Sequence, residues 1–318
     1  MKPLYVALCS ILACGGSRTV ATPTPPATAP TEVPIWPSDA PDAQSVATSE
    51  NAMETVTAPL VAGRSWTRES NVARPTMTVH PPKGTDSGVA VVVFPGGGYK
   101  ILAVDLEGTE ICDWLTSIGV TCVLLKYRVP DSGPHWDDNC ECEVTPAVPR
   151  ALQDAQRTLG LLRARAAEWR LDPHKIGVLG FSAGGHLAAA VSTHFEQRAY
   201  AAIDAADRES CRPDFAVAIY PGHLLSRGTE FTLNPDIATH ITPRTSPTFL
   251  LQAEDDPVDD VRHALVYYAA LKASGVPVEM HLFAEGGHAF GLRRTRFPIT
   301  AWPTLVERWW RTSGVLSD

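Results

Sequence analysis

The chain has 318 residues, 44% of them hydrophobic and 19% charged, enough apolar material to bury one large core without staples. A formal net charge of -8, with no clustered Lys or Arg, argues against a phosphate-backbone partner, so no nucleic acid is expected.

The opening segment, MKPLYVALCSILACGG, carries one lysine, an apolar run from Leu4 to Ala13, and then Cys14. Residues 1–18 read as a secretory signal, too short to span a bilayer as a mature helix. Ile11, Leu12, Ala13 and Cys14, followed by Gly15, Gly16 and Ser17, also resemble a bacterial lipobox, in which the cysteine is acylated and tethers the mature chain to a membrane. Either reading places the protein outside the cytoplasm. Residues 19–60 are rich in Pro, Thr, Ala and Ser and read as a disordered tether, leaving 61–318 as the folded domain.

Strands and helices then alternate. TMTVHPP and VAVVVFPGGGY read as strands, the second a continuous apolar run of the kind covered on both faces. Ile111, Trp114, Leu115 and Ile118 recur at helical spacing, and VTCVLLKYRVP returns as strand. Leu152, Ala155, Leu159, Leu162, Ala166 and Trp169 keep the 3.6-residue period of a long amphipathic helix. IGVL, FAVAIYP, PTFLLQAEDD and PVEMHLFAEGG continue as strands, with helices near Ala264–Ala273 and Trp302–Thr312 between and after them. This alternation predicts an α/β fold: a mostly parallel central sheet with helices on both faces. Reactive groups in such sheets gather where strands end and loops begin.

Five cysteines follow the first two. Cys140 and Cys142 lie in one predicted loop and Cys211 in another, so Cys211 is expected to pair with one of them, while Cys112 and Cys122 pattern as buried free thiols. His135, Cys140 and Cys142 match no metal-ligand spacing, and no metal site is expected.

GFSAG, Gly180 to Gly184, fits G-x-S-x-G directly after an apolar strand and before a small-residue helix. That context makes Ser182 a candidate nucleophile on a tight strand-to-helix turn. FPGGGY leaves an earlier strand through three glycines; the N–H groups of Gly97 and Gly98, with that of Ala183, are candidates for an oxyanion hole. No Lys-Ser or Lys-Thr follows the glycines, which removes the phosphate-loop alternative. His288 in FAEGGHAFGL supplies a base, and LLQAEDDPVDD supplies Asp255, Asp256, Asp259 and Asp260 as orienting acids. His186 and His281 read as packing or surface residues. Trp136 and Tyr220 can line a substrate slot or anchor loops, and the loops Val129–Val148 and Pro221–Pro247 are expected to cover the site.

From Pro75 to Leu316 the chain resembles α/β-hydrolases of the esterase and acetylxylan-esterase kind, related to the hormone-sensitive-lipase and prolyl-oligopeptidase-type hydrolases. The resemblance is carried by FPGGGY, LDPHKIGVLGFSAGGHLAA, SCRPDFAVAIYP, AEDDPV and EGGHAFGL. It departs from the hormone-sensitive-lipase group at Pro95, where that group has histidine. The resemblance implies an α/β-hydrolase fold, hydrolysis of short acyl esters, with acetyl groups on carbohydrate as the expected substrate, and no metal or organic cofactor. It selects Asp256 as the acid, with Asp255 as runner-up; Asp259 and Asp260 are read as beginning or capping the following helix, where carboxylates suit the positive end of the dipole. A prolyl-oligopeptidase-type peptidase and a non-catalytic binding module are the alternatives. Oligomeric state is left open.

Overall fold

The structure is a computed structural model that describes residues 1, 29–44, 50–226, 228 and 231–317. Cys14 and the segment 2–28 lie outside the described residues. In chain order the elements are β1 (Thr31–Pro34), β2 (Ala52–Val61), β3 (Arg64–Ser70), β4 (Thr76–His80), β5 (Ala90–Phe94), α1 (Glu110–Ser117), β6 (Thr121–Lys126), β7 (His135–Asp137), β8 (Cys142–Val144), α2 (Arg150–Ala164), β9 (Ile176–Phe181), α3 (Ala183–Thr193), β10 (Ala216–Ile219), α4 (Pro235–Ala238), β11 (Thr248–Ala253), α5 (Arg262–Ala273), β12 (Val278–Phe283) and α6 (Trp302–Thr312).

Eight strands form one sheet in the order β1-β4-β6-β5-β9-β10-β11-β12. From β6 to β12 every neighbouring pair is parallel, whereas β1, β4 and β6 pair antiparallel at one edge. β5 shows why the centre is double-faced. Its Ala90, Val92 and Phe94 pack into one core with Leu159 of α2, Leu187 of α3 and Val266 of α5. Val91 and Val93 pack on the other side with Ile111 of α1 and with Trp302 and Trp310 of α6. A strand apolar at every position needs helices on both sides, and it has them. Among the described residues no helix is long and apolar enough to cross a membrane.

Two expectations are corrected. Part of the supposed tether is folded: β1 pairs with β4, and Ile35 and Trp36 are 1% and 5% exposed. Trp36 Nε1 donates to Asp154 Oδ1 at 2.9 Å, and Arg157 Nε donates to the Ile35 carbonyl at 2.9 Å. The Pro- and Thr-rich composition masked two large apolar side chains, which have free energy to gain by leaving water. Ala52–Val61, also read as tether, forms a hairpin with β3. The cysteines pair differently as well. Cys112 and Cys122 form a disulfide where α1 packs on β6, with Cα atoms 5.1 Å apart, and Cys140 joins Cys142, whose Cα lies 5.2 Å away. Cys211 is instead a buried thiol. Its Sγ lies against the Phe195 carbonyl inside the core, and burial pushes its pKa up.

Candidate active site

Ser182 sits between β9 and α3 at φ 53° and ψ -121°, a conformation that non-glycine residues rarely adopt. Backbone bonds hold it there: its N–H donates to the Ile219 carbonyl at 3.1 Å, and its own carbonyl accepts from His186 N at 3.0 Å. The flanking glycines are a steric requirement. A Cβ on Gly180 would stand 1.9 Å from the Gly184 carbonyl oxygen, and one on Gly184 would stand 2.1 Å from that of Phe94. The G-x-S-x-G pattern thus lets strand, turn and helix cross at backbone contact.

Three segments meet at this turn. His288, on the loop after β12, has Nε2 at 3.0 Å from Ser182 Oγ and Nδ1 at 2.7 Å from Asp256 Oδ2. A carboxylate only accepts, so Nδ1 carries the proton and Nε2 presents its lone pair to the serine hydroxyl. Asp256 is fixed in turn: its Oδ1 accepts from the N–H groups of Val258 and Asp259 at 2.8 and 2.9 Å. Asp255 is engaged elsewhere, accepting from Gly286 and Gly287 N–H at 2.8 Å. The imidazole pKa is raised. Burial alone would lower it, but the Asp256 hydrogen bond and the charges of Asp259, Asp256 and Glu107 prevail.

Beyond β5 the chain turns through Pro95 and the three glycines. Among the described residues the N–H groups of Gly97 and Gly98 have no acceptor, and both residues border the same cavity as Ser182 and His288. Ala183, buried at the first position of α3, presents the third amide, where no intrahelical acceptor exists.

Glu107, which sequence reasoning did not name, and Asp259, which it placed at a helix start, complete the arrangement. Glu107 is buried behind the glycine loop, accepting from Gly96 N–H at 2.8 Å and from Tyr220 O–H at 2.8 Å. Burial raises its pKa, against the opposing pull of Tyr220, His288 and Gly96. It ties the loop to the ring beneath His288, whose centroid is 4.8 Å from that of Tyr220. Tyr220 is therefore a buried support and not a slot-lining residue. Asp259, expected at the helix start, lies beside Ser182 instead: its Oδ2 is 3.2 Å from Ser182 Oγ, a second acceptor competing with His288 Nε2 for the one hydroxyl hydrogen, and 3.7 Å from His288 Nε2. The turn in which Asp256 Oδ1 accepts from Val258 and Asp259 N–H holds it ahead of α5. Asp260 stays at the helix start, one residue before the Val261 N-cap, its Oδ1 accepting from Arg262 N–H at 2.8 Å. No spacing rule separates these neighbours in the sequence.

The site opens into a cavity of about 800 Å³. Pro59, Leu60 and Trp66 of the β2–β3 hairpin line one side, and Trp136 and Glu143 of the small β7–β8 hairpin line another. His186 and His281 stay outside it, His186 buried with Nδ1 at 2.8 Å from Tyr99 O–H and its pKa lowered to about 3 by burial. His281 lies against Phe249 within the sheet.

A parallel sheet whose central strand runs through a strained serine into a helix, with a histidine after the last strand and an acid after the one before, defines the α/β-hydrolase fold. The chain has the α/β-hydrolase fold. A family model described as BD-FAE matches residues 139–221. The chain is 28% identical, over 64% of its length, to an acetylxylan esterase of Xylanibacter ruminicola, and spans 42% of that protein. It is 25% identical to an ethyl acetate hydrolase of Pseudomonas putida, covering 72% of this chain and 75% of the relative. Among solved structures it resembles an acetyl ester-xyloside bifunctional hydrolase from Caldicellulosiruptor lactoaceticus, with a TM-score of 0.70, 29% identity, and coverage of 92% of this chain and 98% of the other.

Proposed function

We propose that the protein is a serine carboxylesterase that hydrolyses short acyl esters, acetyl groups on carbohydrate above all. The observation that carries this reading is the unbroken chain from Asp256 Oδ2 to His288 Nδ1 at 2.7 Å and from His288 Nε2 to Ser182 Oγ at 3.0 Å, facing a cavity that Gly97 and Gly98 also border. His288 takes the hydroxyl proton as Oγ bonds to the ester carbonyl carbon. The Gly97, Gly98 and Ala183 amides donate to the resulting oxyanion. Collapse breaks the bond to the alcohol oxygen, which leaves with the proton from His288. Water repeats the sequence on the acyl-serine and releases the acid. Asp256 holds the tautomer and offsets the charge of the imidazolium. The names of the relatives, which act on acetylxylan and ethyl acetate, support a small acyl group.

Ser182→Ala should cut hydrolysis of p-nitrophenyl acetate by at least about 10⁴-fold while leaving the thermal midpoint nearly unchanged. Turnover surviving in that variant refutes the assignment. In the wild type, release of acetate from acetylated xylan against cleavage of a peptide amide distinguishes the esterase from a peptidase, and failure to react with a fluorophosphonate would mark a binding module. The same reading places the enzyme outside the cytoplasm, held by a lipid on Cys14 or secreted, on the strength of the Ile11–Cys14 motif. Metabolic labelling with palmitate should be lost in Cys14→Ser if the anchor exists, and an unlabelled wild type leaves plain secretion.

A further inference from the structure

At the end of α3 opposite Ser182, three side chains converge that play no part in ester hydrolysis. His194 caps the C-terminus of α3, Asp236 belongs to α4, and His240 follows it. One ligand atom from each lies within 4.8 Å of the other two, and the imidazole centroids are 3.9 Å apart.

The hydrogen bonds around the two rings fix their protons. His194 Nδ1 is 3.0 Å from the Ala190 carbonyl, and His240 Nδ1 is 2.6 Å from the Asp236 carbonyl. A carbonyl oxygen can only accept, and the Thr193 and Thr239 hydroxyls, 3.0 and 3.3 Å from the same two nitrogens, donate to the carbonyls of Ala189 and Pro235, so Nδ1 of each ring carries the hydrogen. In the neutral rings, Nε2 of each is then a bare lone pair. His194 Nε2 nevertheless stands 3.4 Å from Asp236 Oδ1, itself an acceptor. Two acceptors facing each other need a cation between them. A proton on His194 satisfies that pair alone; a metal ion also uses the second imidazole. Backbone carbonyls that hold Nδ1–H and turn Nε2 outward are the usual outer shell of a metal-bound histidine.

We propose that His194, Asp236 and His240 form a site for a divalent transition ion of the zinc type. Two imidazoles and one carboxylate suit zinc, cobalt or nickel, whereas magnesium and calcium favour oxygen ligands. His194 is held, with only 13% of its side chain exposed, while the Asp236 side chain, facing His194 Nε2, is 65% exposed and open to an ion from solvent. The ion links α3 to the segment between β10 and β11, which also supplies His223 to the cavity rim. Its position at the far end of an eleven-residue helix from Ser182, roughly 16 Å by helical rise, keeps it out of the acyl-transfer chemistry. The site is therefore a staple between elements, and it stands whether or not the esterase reading does.

The test uses tag-free full chain stripped with chelator. Titration with ZnCl₂ at pH 7.5 should give saturable calorimetric binding at one ion per chain, and ZnCl₂ at about 100 times Kd should raise the thermal midpoint by on the order of 5 °C, because the ion binds the folded state alone. MgCl₂ should do neither. CoCl₂ should produce the visible absorption of a low-coordinate nitrogen and oxygen site. His240→Ala and Asp236→Asn, both at exposed positions, should weaken zinc binding at least about tenfold and abolish the cobalt band. The proposal is overturned if wild type binds no zinc up to millimolar concentration, or if either variant keeps wild-type affinity and absorption. A midpoint that responds to pH but not to zinc identifies a proton-bridged His194–Asp236 pair instead, and also overturns it.

Discussion

Asp259 poses a question that the Ser182, His288 and Asp256 chain alone does not answer: why a second carboxylate lies 3.2 Å from the Ser182 hydroxyl, which in the proposed reaction gives its proton to His288. It cannot orient the ring, because Nδ1 is already bound to Asp256. What it does is electrostatic. Its charge, 3.7 Å from Nε2, favours the imidazolium and is among the causes that raise the His288 pKa. A base works only when neutral, so a raised pKa moves the acid limb of the activity profile to higher pH. Removing the Asp259 charge takes away one raising influence and lowers that pKa. Asp259→Asn should therefore extend activity to lower pH and change the plateau rate less than about tenfold, while Asp256→Asn should lose about 10⁴-fold through the wrong tautomer. A pH–rate profile of kcat/KM for p-nitrophenyl acetate checks both. An unmoved acid limb in Asp259→Asn removes the electrostatic role.

Between neighbouring elements, what could be read from the sequence divides by the kind of signal each segment carries. β5, β9, β10 and β11 were legible because strands buried on both faces are apolar at every position, and α2 because its period holds from Leu152 to Leu162, although the helix stops at Ala164, short of the expected Ala166 and Trp169. The turn around Ser182 was legible because glycines there are demanded by close backbone approach: an added Cβ would stand 1.9 or 2.1 Å from a carbonyl oxygen. The β2–β3 hairpin was not. Its strand AMETVTAPLV is largely exposed, lacks a clean alternation and contains a proline, so its composition matches a tether. What places the hairpin is tertiary: Glu69 and Leu102 exchange backbone hydrogen bonds at 2.9 and 2.8 Å, and Thr67 N–H donates to Asp105 Oδ1 at 2.7 Å. Those bonds dock it beside the glycine loop and bring Leu60 and Trp66 to the cavity. Glu107 was illegible for a related reason. A buried acid has no periodic signature, and its partners, Gly96 and Tyr220, are 11 and 113 residues away.

Over the whole molecule, the N-terminal run that reads as a tether takes part in the fold through one side chain above all. Trp36 packs edge-on to Tyr200 with ring centroids 4.8 Å apart, and the guanidinium groups of Arg128 and Arg157 lie 5.9 and 5.6 Å from its ring. Its indole N–H donates to Asp154, which is fully buried and also accepts from Arg128 Nε at 3.0 and 3.1 Å. Burial raises the Asp154 pKa against these donors, so each donor removed makes the buried charge harder to hold. Arg157, in the same helix, reaches Asp204, Asp207 and the Ile35 carbonyl, joining the run to the loop before β10. Trp36→Ala therefore combines a cavity with a lost donor and should destabilise the protein by about 3–5 kcal/mol, lowering the thermal midpoint by on the order of 10 °C. Trp36→Phe keeps most of the packing and loses the hydrogen bond, and should cost about 1–2 kcal/mol. Both variants should retain kcat/KM at 25 °C, because the contacts lie with α2 on the opposite side of β9 from α1 and α6 and touch neither Ser182 nor His288. Thermal unfolding of the two variants beside wild type decides the matter: a midpoint unchanged in Trp36→Ala returns residues 31–44 to the role of a solvated leader, and a graded loss from Phe to Ala makes them the outer edge of the hydrolase core.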